Sequence, residues 1–185
     1  MKKITALILA LLMAMLTVSA FAAGNASPSG DDYNKATTNN YTGKSWIFDF
    51  SDKAELIAWA NAEVAKLAEA ESIQAYFGLG DAIAAILGEG EYAVNELQPV
   101  YAAGYEESMG PQEIKLEFAT PYKKGTNVAV MLGFKAGEDE NGEPKMAWNA
   151  YAGKVLDGSV IAFNLDPATI LRVQENYALL AVINK

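Results

Sequence analysis

The main switch of hydrophobic period along this chain falls near Gly90, and it constrains the fold more than any single motif. Before it, Leu56, Ala60, Val64 and Leu67 recur at helical spacing with Ile57 and Ala68 beside them. Glu55, Glu63, Lys66 and Glu69 fall largely off that stripe. A single apolar stripe at 3.6-residue spacing predicts an amphipathic helix over about residues 53–71. Asp52 stands three residues ahead of Glu55, the spacing of a capping box. Shorter helices are expected at 73–77 and 81–87, separated by Gly78-Leu79-Gly80 and stopped by Gly88 and Gly90.

After Gly90 the period is two. Ile114, Leu116 and Phe118 alternate with Glu113, Lys115 and Glu117, which predicts a half-buried strand. Val128, Val130, Leu132 and Phe134 form the next inward face. Asn141-Gly142 predicts a hairpin into 145–155, and Asp157-Gly158 a tight turn into 159–164. Asp166-Pro167 opens a short helix, with Asp166 at the cap and Pro167 at the first position. Tyr177 to Ile183 closes as an apolar strand, and 97–105 and 46–50 add strand-like runs. The expected class is α+β: an N-terminal helical segment packed on an antiparallel β-sandwich-like or curled sheet, with one short helix before the last strand.

Two segments precede this domain. Lys2 and Lys3, the apolar run Ile4–Val18 and Ala20-Phe21-Ala22 have the anatomy of a secretory signal peptide over 1–22, cleaved about Ala22. Residues 23–44 are rich in Gly, Asn, Ser, Thr and Asp and are expected to form a flexible polar leader. Residues 45–185 then make a single α+β domain, helical over about 52–90 and β over about 95–185. The expected location is extracellular, with no membrane association after cleavage.

Composition removes several function classes. Loss of Lys2 and Lys3 would leave 12 basic residues against 23 acidic ones, a net charge of −11, and Arg172 is the sole arginine. A nucleic-acid partner is not expected of such a chain, because binding phosphates needs clustered cations. Histidine and cysteine are absent, and with them His-based triads, thiol nucleophiles and the usual zinc sites. No cofactor fingerprint is present, since Gly78-Leu79-Gly80 lacks both a preceding strand and a third glycine.

The stretches Glu96-Leu97-Gln98-Pro99-Val100, Gly104-Tyr105-Glu106-Glu107-Ser108 and Phe118 to Gly125 resemble small exported proteins of Gram-positive gut bacteria. The resemblance runs over about residues 97–185 and implies architecture and location only.

Carboxylates are the one abundant group able to do acid–base work. Glu106 and Glu107, with Asp81 or Asp157 opposite, are the candidate pair for a glycosidase, which needs two acids across a cleft. The acidic stretch 138–143 lacks the phase of an EF-hand and reads as a charged hairpin tip. Aromatics offer the stronger hint: Tyr101, Tyr105, Tyr122, Trp148 and Tyr151 on strand faces and ends are candidate binding residues, able to stack on sugars or anchor a protein. The expected function is an exported, soluble, non-catalytic binding module for glycan or protein. A carboxylate-dependent hydrolase and a self-associating structural subunit are the alternatives.

Overall fold

The computed structural model describes residues 37–185 apart from 42, 43, 120, 141 and 143. The expected signal peptide and the leader up to residue 36 lie outside the described residues.

The chain is α+β. Strands β1 (Thr37–Tyr41) and β2 (Lys44–Phe50) lead into helices α1 (Ala54–Glu69), α2 (Ile73–Phe77) and α3 (Gly80–Leu87). β3 (Ala93–Ala103), a 3-10 turn (Glu107–Met109), β4 (Gln112–Glu117), β5 (Asn127–Glu138), β6 (Pro144–Asp157) and β7 (Val160–Leu165) follow. Helix α4 (Pro167–Asn176) and β8 (Ala178–Asn184) complete it. β1 falls within the segment read from sequence as a leader, and its pairing with β2 gives that polar backbone its hydrogen-bond partners.

The strands form one antiparallel sheet in the order β1-β2-β3-β8-β5-β6-β7-β4. Of the expected sandwich-like or curled sheet, the structure has the curled form: the two edge strands, β1 and β4, curl toward each other into a nearly closed barrel. Register shifts at Val94/Glu96, Lys135/Glu138 and Val155/Asp157 supply part of the curl, because bulges bend a strand and increase its twist.

Curling gives the sheet an inside and an outside. Phe48, Val100, Ile114, Leu116, Val128, Val130, Ile161, Phe163, Leu180 and Val182 fill the inside. Ala129, Met131, Leu179, Ala181 and Ile183 face outward and are covered by Ala60, Leu67, Ile73, Phe77 and Ile83 of α1–α3. Hence β5 from Val128 to Phe134 and β8 from Ala178 to Ile183 are buried on both faces, which explains their unbroken apolar runs.

Both barrel ends carry covering elements. Helix α4, which joins β7 to β8, sends Ile170 and Val173 into one end. Asp166 caps it by accepting from Thr169 N at 2.9 Å, with Pro167 in its first turn. The segment 118–126, which joins β4 to β5, lies at the other end with Phe118 and Tyr122 turned inward. Its backbone is held by Tyr122 N to Gly158 O at 2.6 Å and Gly125 N to Val155 O at 2.8 Å. The capping box expected at Asp52 does not form: Lys53 is the N-cap of α1 and no side chain caps it.

Candidate functional site

The five aromatic candidates are not gathered on one face. Tyr105 is 3% exposed, packs edge-on to Trp46 at 5.1 Å and donates its hydroxyl to Gly110 O at 2.6 Å. Gln174 of α4 accepts from its backbone N–H at 2.8 Å, so Tyr105 belongs to the α4 end of the core. Tyr122, 7% exposed, lies at the opposite end. Trp148, 8% exposed, is covered by α2, with Phe77 at 4.8 Å and Tyr76 at 6.0 Å. Tyr151 is half-buried and donates to Thr169 Oγ1 at 3.0 Å, which in turn donates to Asp166 Oδ2 at 2.8 Å. Tyr101 is half-buried on the outer face opposite Asp49, and burial, with Asp49 and Asp52 adding, pushes its hydroxyl pKa up. Stacking on a sugar needs an accessible ring face, and three of these five rings spend theirs on the core.

The candidate catalytic acids are also dispersed. Glu106 precedes and Glu107 opens the 3-10 turn at the α4 end. Asp157 closes β6 at the other end, and Asp81 lies in the first turn of α3 on the helical layer. Asp157 and Asp81 therefore lie on other parts of the fold from Glu106 and Glu107, and the geometry assembles no glycosidase pair from them. Among the described residues, no three His, Cys, Asp or Glu side chains gather as metal ligands.

Two acids are buried: Glu63, which the sequence reading places largely off the apolar stripe and the structure corrects, and Glu96, which that reading does not single out. Glu63, 2% exposed, accepts from Tyr76 OH at 2.7 Å and pairs with Lys66 Nζ at 3.1 Å. Burial and then this carboxylate push the Tyr76 hydroxyl pKa far up, so it stays a donor. Glu63 shares the buried face of α1 with Leu56, Ala60 and Leu67, and its spacing of three from Ala60 and four to Leu67 is the signal that the off-stripe reading misses. Glu96, 1% exposed, is opposite the inward Val182 and accepts from Gln98 Nε2 at 3.0 Å. Burial and the Glu96 charge push the Tyr122 hydroxyl pKa up, against a smaller lowering by Asn95.

One concave feature among the described residues is a groove of about 510 Å³ where α1 turns into α2, facing the turn that leads to β3. Leu67 and Ile73 supply apolar surface, Gln74 and Tyr92 flank it, and Glu71 and Glu91 stand exposed on its rim. The corner is built locally. Ser72 caps α2 by accepting from Ala75 N at 3.0 Å, and Tyr92 donates its hydroxyl to Gly88 O at 2.8 Å. Neither Glu71 nor Glu91 takes part in an ion pair among the described residues.

No family model, curated protein or solved structure matches the chain. Among the described residues no helix is long and apolar enough to cross a membrane.

Proposed function

We propose that this chain is an exported, non-catalytic interaction module that takes a protein ligand in the groove at the α1–α2 corner. The observation that carries the reading is the groove itself, an apolar strip with polar rims on a helical layer packed against the sheet. Pockets of a few hundred cubic ångströms with a few convergent polar groups are the usual form of a binding site. Export rests on Lys2, Lys3, the apolar run after them and Ala20-Phe21-Ala22. The dispersal of Glu106, Glu107, Asp81 and Asp157 favours binding over hydrolysis.

Peptide selection on the full chain tests the reading. Gln74→Trp places a bulky ring in the groove from a partly exposed helical position without changing charge. Selected peptides should lose at least about tenfold in affinity for that variant, or about 1.4 kcal/mol. Equal affinity for both proteins would place the ligand surface elsewhere and overturn the reading.

A further inference from the structure

We infer that the groove's ligand is a basic peptide segment of a partner protein, an extended stretch in which an apolar side chain is flanked by lysine or arginine. This rests on the groove being the ligand site. Its lining carries two carboxylates, Glu71 and Glu91, and no cation, and neither carboxylate is neutralised by an ion pair among the described residues. The whole chain carries a net charge of −9, so the long-range field also draws cations in and turns acidic partners away.

The surface beside the groove already holds such a side chain. The chain's own Lys185 lies along Gly88 and Gly90. A Cβ added at Gly90 would come within 2.8 Å of its Cε, and one at Gly88 within 3.4 Å of its Nζ. The missing side chains at these two positions therefore give the Lys185 stem its bed, an instance within this chain of a lysine lying on the turn beside the groove. A ligand lysine or arginine would likewise pack its methylenes on the groove's apolar strip and keep its head in water near Glu71 or Glu91. Leu67 and Ile73, next to the rim, offer apolar contact to an adjoining leucine-like residue. The groove is open rather than enclosed, which fits a strand of peptide better than a compact small molecule. A glycan would call for an exposed ring platform, and Tyr105, Tyr122 and Trp148 do not provide one.

The test titrates the full chain with two labelled heptapeptides, one alternating lysine and leucine and the other alternating glutamate and leucine. The lysine peptide should bind, weaken as salt rises, and lose about tenfold in affinity with Glu71→Gln and Glu91→Gln together. Gln74→Trp should remove its binding. If the double Gln variant binds the lysine peptide as tightly as the parent, or the glutamate peptide binds equally well, while Gln74→Trp still blocks, the basic-ligand inference falls and the groove reading stands. If Gln74→Trp leaves binding unchanged, both fall. Failure of the lysine peptide to bind at millimolar concentration overturns the inference.

Discussion

The ring of Trp148 lies directly over Gly133, its cross-strand partner, so closely that a Cβ at Gly133 would sit 2.6 Å from the ring carbons. This contact lets Trp148 lie flush on β5 while Phe77 of α2 packs against it at 4.8 Å, joining sheet and helical layer.

Gly133→Ala should therefore destabilise the protein by about 1–3 kcal/mol, the usual cost of forcing an extra methyl into a filled core. Urea unfolding followed by tryptophan fluorescence measures it. A change below about 0.5 kcal/mol would mean that Trp148 can move away at little cost.

Alkaline pH should weaken the fold through Tyr76 and Tyr122, whose hydroxyls are held above their ordinary value of 10.0 by burial. A folded-state pKa raised above the unfolded one contributes stability fully present below pH 10 and lost as pH climbs from there toward the folded value. Urea midpoints should hold steady up to about pH 9 and fall from pH 10 upward. Tyr76→Phe should flatten part of that fall. It should also cost about 1–3 kcal/mol at neutral pH, because the buried Glu63 loses a donor.

Asp166→Ala removes the cap of α4 and both bonds to Thr169, at a cost of about 1 kcal/mol. Those bonds hold the Asp166 pKa below its ordinary 3.8. Its contribution is thus present above pH 3.8 and lost as pH falls through the lower folded value. Hydrogen exchange should show α4 fraying while β5 and β8 stay protected. Unchanged protection in α4 would count against the cap.

How much of this was legible in the sequence depended on whether the determining contact was local. The alternation of Ile114 and Leu116 with Glu113 and Lys115 marks β4 because its inner face alone is buried, and Asp166-Pro167 marks α4 because a cap is a four-residue event. The inward face of β5 was readable in Val128 and Val130, but its second buried face was not, since only the docking of α1–α3 covers Ala129 and Met131. The insertion of β8 between β3 and β5 is a pairing over long sequence separation that no short pattern encodes. The aromatic candidates misled for the same reason. Strand alternation puts Trp148 and Tyr151 on opposite faces but does not say that α2 covers one and Thr169 of α4 meets the other. The groove was invisible because Leu67 and Tyr92, distant in sequence, meet only after the chain has doubled back into β3.

Amide chemical-shift mapping of the labelled full chain with the lysine–leucine peptide tests the central claim most directly. The largest shifts should fall on residues 67–74 and 90–92, the two walls of the groove, and should vanish in Gln74→Trp. Shifts concentrated elsewhere, such as the outward Glu113, Lys115 and Glu117 of β4, would contradict it.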